Sequence, residues 1–366
     1  MMNTSQKLIA LLSGAALLSV SSLAAQTATT DPVGYVTITV NGSPDGTATA
    51  YTPLSLSLEN AILTAGALSE TPSSAVATNS NASYTPSAFA GTDASGNATH
   101  YLQFTTSGLI ADIIANDATT ITTDGDLTGL AASGDGYVVK KHSTLADIFG
   151  AANEAGLAAG GSFSSSDQLF VMSSDGAGTF ATYYFQDDPT DPVPIVGGFS
   201  GGDGWRVVGD NATNQSDVVV GPDDGILIAR ATSGDVEIVV SGSVNAVDHK
   251  RDLPAGLSLV AYPYPVDVTL NDSGIYSASN GYVSAGSFSA SDNVYVLGSN
   301  GSYTTYYRQD DPTDPVPIVG GFSGGDGWRV VGNTGTDQGA AVIPAGSAII
   351  IQHKGSGLAW TDAKPY

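Results

Sequence analysis

The chain has 366 residues, 42% of them hydrophobic, which is enough apolar material for two or three domains with buried cores. A formal net charge of −24, with only 11 Lys and Arg, excludes the basic surfaces that bind nucleic acid or anionic lipid. The absence of Cys excludes disulfides, thiolate metal sites, Cys nucleophiles and lipoprotein anchors. There are 45 Gly, and all but four of the 35 acidic residues are Asp, a composition that favours turns and strands over helices.

Residues 1–25 are predicted to form a secretory signal peptide. Lys7 precedes an apolar run at Leu8–Val20, and small residues suited to cleavage follow, ending at Ala25. A membrane anchor is the alternative, but the run is shorter than the roughly 20 residues of a spanning helix. No later stretch approaches that length. We therefore expect a secreted, periplasmic or cell-surface protein of a Gram-negative-type bacterium, with no integral membrane span after signal cleavage.

Short β-branched or aromatic segments separated by Gly, Asp and Asn predict strands through most of the chain. The first, Pro32–Val40, alternates Val36, Ile38 and Val40 with threonines, which predicts one buried face. Further strands are predicted at Tyr101–Thr105, Thr119–Thr123, Leu169–Met172, Thr182–Phe185, Trp205–Val208, Asp217–Val220, Ile226–Ala229 and Val236–Ser241. One helix is predicted at Ser143–Leu157, capped by Ser143. Residues 69–96 are predicted to form a long loop.

A 24-residue sequence occurs twice in the chain. Residues 186–209 and 309–332 both read QDDPTDPVPIVGGFSGGDGWRVVG, and upstream Gly161–Ser164 matches Gly286–Ser289. The period of 123 residues is too long for a solenoid and favours tandem domains. The predicted protein is all-β with one short helix, built of small β-sandwich or barrel-like domains. Its predicted parts are the signal peptide 1–25, an N-terminal β-domain 30–130, and β-repeat domains 136–243 and 257–366.

Five short segments spread over the mature chain carry a resemblance to a known family. They are Asp31–Thr37, Tyr101–Gly108, Thr144–Gly150, Gly204–Gly209 and Leu257–Ala261. Together they resemble a family of secreted, β-rich proteins common in Verrucomicrobia and related bacteria. The resemblance implies export and a β-rich body, and it implies no activity. The duplicated Asp-Pro block is not part of the family pattern.

The duplicated block also fits the G-x-S-x-G pattern of a nucleophile elbow, with Ser200 and Ser323 at the centres. An elbow needs a strand before the serine and a helix after it. Here a turn and then a strand pattern follow, and His249 and His353 do not occupy matching places in the two copies. We therefore interpret both segments as Gly/Ser turns and predict no catalytic residue.

The same block concentrates carboxylates around prolines that fix φ. Such carboxylates, together with carbonyl oxygens, are the hard ligands that Ca²⁺ prefers. The spacing is not that of an EF-hand loop, and a solvated Asp-Pro turn is the alternative. The candidate ligands are Asp187, Asp188, Asp191, Asp310, Asp311 and Asp314.

Aromatic residues flank the block in both copies and are candidates for stacking on sugar rings: Trp205, Trp328, Tyr184 and Tyr307. Because these candidates occupy equivalent positions in tandem domains, sugar binding at both domains would increase the overall affinity through avidity. The alternative is that each Trp begins a strand and packs into the core.

These features favour an exported, non-enzymatic surface or extracellular protein with a structural or binding role. The alternative is a carbohydrate-binding or polysaccharide-active protein. Extracellular glycans or other surface proteins are the partners to expect. Pairs of Asp carboxylates are unavoidable in a chain this rich in Asp, so they carry no evidence for glycoside hydrolysis.

Calcium is expected to stabilise the folded protein through the Asp-Pro segments. Binding to the native state alone adds RT ln(1 + [Ca²⁺]/Kd), about 2.7 kcal/mol at a hundredfold excess over Kd. Thermal unfolding with EGTA and with Ca²⁺, at fixed ionic strength, measures the shift. Asp188→Asn combined with Asp311→Asn should abolish it, and an equal shift with Mg²⁺ or NaCl would show ordinary charge screening instead.

Overall fold

Antiparallel strands form most of the structure, as the sequence predicts. The computed structural model describes residues 32–172, 179–187, 202–298, 302–310 and 325–366. Within it, Val33–Tyr366 forms a single compact unit. The described residues contain one α-helix, and it is short.

The strands up to the helix are β1 (Val33–Val40), β2 (Ala50–Ser55), β3 (Thr64–Ala67), β4 (Val76–Thr78), β5 (His100–Phe104), β6 (Ile110–Asn116), β7 (Thr120–Thr123), β8 (Gly136–Lys141) and β9 (Ser143–Thr144). Helix α1 (Leu145–Phe149) and a 3₁₀ turn (Phe163–Ser165) follow. Next come β10 (Gln168–Met172), β11 (Phe180–Gln186), β12 (Gly204–Val207), β13 (Val219–Val220), β14 (Gly225–Arg230) and β15 (Val236–Ser243). The last are β16 (His249–Leu253), β17 (Gly256–Val260), β18 (Val268–Thr269), β19 (Asn293–Leu297), β20 (Tyr303–Gln309), β21 (Gly327–Val330), β22 (Val342–Ile343), β23 (Ile349–His353) and β24 (Leu358–Asp362).

In the residues that the structure describes, the two repeats share one strand arrangement, so these parts of the two copies fold alike. The first has a five-stranded sheet in the order β12-β11-β10-β14-β2, and the second has the order β21-β20-β19-β23-β17. Each sheet is accompanied by two ribbons, β1–β15 with β9–β13 in the first repeat and β16–β24 with β18–β22 in the second. Register is also shared, because Phe185 pairs with Trp205 and Arg308 pairs with Trp328.

Strand pairing crosses the predicted domain boundaries. Strands β1 and β2, assigned to an N-terminal domain at 30–130, pair with β15 and β14 and so complete the first repeat. The six-stranded sheet β3-β8-β5-β6-β7-β4 is inserted between β2 and β9. Strand β8, assigned to the first repeat, belongs to this inserted sheet. Periodicity identifies a strand but not its partner, and here the partner lies about 200 residues away.

Local elements differ from the predictions in two places. The helix spans only five residues, its N-cap is Thr144 instead of Ser143, and Asp147 completes a capping box. It ends at Gly150, whose φ of 87° is left-handed. The predicted loop at 69–96 contains strand β4 (Val76–Thr78), which pairs with β7.

Three hydrophobic clusters form the core, one for each repeat and one for the inserted sheet. The predicted alternation in β1 is confirmed, because Ile38 and Val40 are buried and their threonine neighbours are exposed. The two repeats meet closely at Gly225. A Cβ there would lie 2.7 Å from Ala348 and 2.8 Å from Leu259, so only glycine permits this approach.

Equivalent core truncations are expected to destabilise both repeats. Ile226 and Ile349 are equivalent, with exposures of 0% and 1%. Replacing either with Ala removes buried methyl groups and leaves a cavity, which costs about 2–5 kcal/mol of unfolding free energy. Chemical denaturation measures the loss. Val239→Ala, at a side chain 58% exposed, is the control and should change stability by less than about 0.5 kcal/mol. A negligible cost in one repeat would contradict the equivalence of the two cores.

Candidate functional site

An aromatic groove lies on the first repeat where the 3₁₀ turn meets β11. Phe163 is 45% exposed, and its ring packs edge-on against Tyr184 with centroids 6.4 Å apart. Val208 and Asn211 contribute to the same groove, whose volume is about 420 Å³. Phe163 is thus an exposed ring at the edge of a groove, where a ligand could stack on it.

Hydroxyl groups fix the turn that presents Phe163. Ser166 Oγ lies 2.9 Å from the Ser162 carbonyl oxygen and 3.2 Å from that of Phe185, which ties the turn to β11. The hydroxyls of Ser162 and Ser164 lie 3.0 Å apart beside the exposed ring. The groove therefore combines the aromatic side chains of Phe163 and Tyr184 with the hydroxyl of Ser162.

The second repeat builds the same arrangement. Phe288 is 47% exposed and packs against Tyr307 with centroids 6.4 Å apart. Ser291 Oγ takes the place of Ser166 Oγ, at 2.9 Å from the Ser287 carbonyl oxygen and 3.2 Å from that of Arg308. The match extends from sequence to side-chain geometry.

The structure corrects the predicted stacking role of the tryptophans. Trp205 and Trp328 are 0% and 2% exposed, so neither indole face can meet a ligand. Trp205 packs between Phe149 and Phe185, and its Nε1 donates to the Gly150 carbonyl at 2.8 Å. Both tryptophans instead pack into the core, as the alternative interpretation predicted.

Tyr184 lines the groove and Tyr307 packs against the equivalent Phe288, but both tyrosines are largely covered. Tyr184 and Tyr307 are 5% and 3% exposed, beneath Phe163 and Phe288. Sequence reasoning missed these two phenylalanines as binding candidates. The available signal was their matching position in a repeated Gly-Ser-Phe-Ser segment, where an apolar ring stands in a polar turn.

Of the candidate calcium ligands, Asp187 and Asp310 are described, and both are exposed. The others, Asp188, Asp191, Asp311 and Asp314, lie outside the described residues, as do Ser200 and Ser323. Among the residues that the structure describes, no three His, Asp or Glu side chains are placed to hold a metal ion. Calcium binding by the Asp-Pro segments stays a prediction.

Buried side chains anchor the ends of the duplicated block. Gln186 Nε2 and Arg206 Nη2 both donate to the Gly202 carbonyl, at 2.9 and 2.8 Å. In the second repeat, Gln309 and Arg329 do the same to Gly325 at the same distances. The two repeats therefore have the same hydrogen bonds to the carbonyls of the equivalent Gly202 and Gly325.

A network of charged residues lies between the two repeats. His249 Nε2 hydrogen-bonds to Asp223, and Arg251 Nε lies 3.4 Å from the same carboxylate. Arg251 Nη2 donates to Asp362 at 2.5 Å, and its guanidinium lies 4.2 Å from the ring centroid of Trp360. The network joins the turn before β14 in the first repeat to β16 and β24 of the second.

A cleft of about 410 Å³ adjoins this network, between the inserted sheet and the first repeat. The inserted region contributes Asp112 and His142, and the turn between β13 and β14 contributes Asp223 and Asp224. His142 Nε2 lies 2.8 Å from Asp112 Oδ1.

The neighbouring carboxyls on this turn have opposite pKa shifts. Burial acts to raise the pKa of Asp223, but His249 and Arg251 outweigh it and lower the value to about 2. Burial raises the pKa of Asp224 to about 6, and the nearby charges of Asp223 and Asp112 add to the rise. Asp224 Oδ2 accepts from the Gly221 N–H at 2.7 Å.

No protein-family profile and no curated protein matches this chain. Within the described ranges, none of the helices has the length and apolar character needed to cross a bilayer. The site therefore has to be interpreted from its own geometry.

Replacing Asp224 with Asn is expected to stabilise the protein above pH 6. The folded state binds the Asp224 proton more tightly than the unfolded chain, so the stability of the unsubstituted protein falls as pH rises from about 4 to about 6. Asn does not ionise and still accepts from Gly221. Denaturation across this pH range should show the difference growing and then levelling off. Asp252→Asn, at an exposed site outside the cleft, is the control; a difference independent of pH would contradict the assignment.

Proposed function

We propose that this is an exported, non-enzymatic protein that binds neutral extracellular polysaccharide through its two aromatic grooves. The observation that carries the proposal is one contact found in both repeats, an exposed Phe over a buried Tyr: Phe163 over Tyr184 and Phe288 over Tyr307. In each repeat the ring is nearly half exposed, so one of its faces is available for stacking on a sugar.

The composition of the groove favours sugar over a peptide or an apolar molecule. A pyranose ring presents an apolar face bordered by hydroxyls, and it needs an aromatic surface next to small polar groups. Phe163, Ser162 and Asn211 line the first groove, and its lining includes no charged side chain. The net charge of −24 repels anionic polysaccharides, so a neutral polymer fits best.

Two weak sites on one compact chain suit a repetitive polymer. Once one groove holds the chain, the second binds at a high local concentration, and avidity can exceed either affinity by about 10²–10⁴-fold. A polysaccharide supplies the repeated epitope that this arrangement needs. The signal peptide predicted from the sequence at residues 1–25 supports export to the compartment where such polymers occur.

Alanine at the exposed phenylalanines is expected to weaken binding to a neutral β-glucan such as laminarin. Phe163→Ala or Phe288→Ala alone should lower affinity about tenfold, the effect of removing an aromatic contact worth more than ~1 kcal/mol. The double substitution should abolish retardation in affinity electrophoresis. Phe180→Ala, at a ring that is 38% exposed and lies outside the groove, is the control.

Three results would count against this function. One is equal loss in the Phe180→Ala control, and another is tighter binding to anionic alginate than to a neutral glucan. The third is release of new reducing ends during incubation with the polymer, which would favour the polysaccharide-active alternative.

A further inference from the structure

We infer that the outer edge of strand β1 pairs with the same edge of a second copy of this chain, so that two molecules share one antiparallel sheet. This surface is separate from the aromatic grooves and does not depend on the proposed function. Within the described residues, β1 and β15 form a two-stranded ribbon, and β1 has no strand on its other side. An open strand edge is a template for pairing with another strand.

Contacts at the two ends of the ribbon show which backbone groups of β1 face outward. Ser243, which lies opposite Val33, exchanges both of its backbone hydrogen bonds with Glu59 on its other side. At the other end, the Asn41 N–H donates to Thr52 Oγ1 at 3.0 Å, away from β15. Because the direction alternates along a strand, the backbone groups of the odd-numbered residues 33–39 point away from β15. No hydrogen bond joins these groups to another described residue.

The side chains along this edge do nothing to block pairing. Val33 and Tyr35 are 77% and 74% exposed. Val239, which lies diagonally from Tyr35 on β15, is 58% exposed. Strand β1 contains no charged residue and no proline. Open edges in soluble proteins usually carry such residues to prevent association, so an uncharged, apolar edge of this length favours it.

The second repeat closes the equivalent edge. By their pairing registers, Lys250 of β16 is equivalent to Thr37 of β1. The Lys250 N–H donates to the Gly108 carbonyl at 3.0 Å, so the turn between β5 and β6 covers that edge. A further charged residue, Asp252, takes the place of Thr39. The second ribbon therefore has both a covering segment and charges, and in the described residues the first ribbon has neither.

A second copy fits the open edge by symmetry and by charge. A two-fold axis at Val36 pairs Tyr35 with Thr37 of the second copy, and it pairs Val33 with Thr39 of the second copy. All the outward backbone groups then find partners, and aromatic–Thr pairs across strands add stability. A net charge of −24 makes two copies repel each other, so they can meet closely where the surface is uncharged, as it is along β1. Such a two-fold contact uses both edges and ends at a dimer.

Sedimentation equilibrium over a concentration series tests the inference. The weight-average mass should rise from that of a monomer to that of a dimer, and no further, at micromolar concentrations, because a single strand pair is a small interface. Added NaCl should strengthen the association, since it screens the repulsion between the two acidic copies. A monomer at every concentration and salt level would overturn the inference.

Thr37→Pro is expected to weaken the dimer about tenfold or more. It removes an outward N–H, and the two-fold axis doubles the loss. A proline is tolerated on an edge strand whose N–H faces solvent, so the monomer should still fold, which thermal unfolding verifies. Ser241→Pro is the matched control, because Ser241 lies opposite Tyr35 and directs its N–H to the other edge of β15. An equal loss in both variants, or no loss in Thr37→Pro, would contradict pairing through β1.

Introduced cysteines test the register without removing any backbone group. The chain has no Cys, so a disulfide can form only between the new residues. A mixture of Val33→Cys and Thr39→Cys proteins should form linked dimers faster than either variant alone, because opposite residues have Cα atoms about 5.5 Å apart, which a disulfide spans. A mixture of Val33→Cys and Ser241→Cys is the control and should link only as slowly as random collisions allow. Equal rates in the two mixtures would place the contact on another surface and overturn the inference.

Discussion

The guanidinium of Arg251 holds together parts of the chain that are distant in sequence. It lies between Asp223, on the turn before β14, and Asp362, at the end of β24, and its face covers Trp360. Breaking a buried ion pair by removing one partner typically costs about 3–5 kcal/mol, because the other charge stays in a low dielectric. The two carboxylates share this cation unequally. Burial raises the pKa of Asp362 to about 6 despite Arg251, whereas His249 and Arg251 together keep Asp223 ionised.

Both repeats have a buried Asp at the same position, but the basic residue that pairs with it differs. Asp167 pairs with Arg230 at 3.1 Å in the first repeat, and the equivalent Asp292 pairs with His353 at 2.8 Å in the second. Both carboxylates also accept from a backbone N–H, that of Ala158 or Val283. Because that backbone bond is common to both repeats, the acid has a structural role that does not depend on which base faces it. The contact between an exposed Phe and a buried Tyr, by contrast, is the same in both repeats.

The inserted sheet gives the first repeat a surface that the second lacks. It is attached through Lys140, which pairs with Glu59 and donates to Gln103 at 2.9 Å, all three side chains being buried. This contact places Asp112 and His142 opposite the Asp223–Asp224 turn. The repeated Phe–Tyr contact thus comes from duplication, whereas the cleft lies beside a sheet that is inserted into the first repeat.

The sequence by itself determined the all-β class, the duplication and the buried face of β1, since these depend on local periodicity and on identity between segments. Only the tertiary structure decided that β1 and β2 complete the first repeat, because strand pairing is non-local and a pattern does not name its partner. The same limit applies to the sites. A Trp that follows Gly-Asp-Gly can lie on the surface or in the core. Trp205 lies in the core, where its ring packs against Phe149 and Phe185. The cleft joins Asp112, His142 and Asp224, which share no motif and meet only when the inserted sheet folds against the repeat.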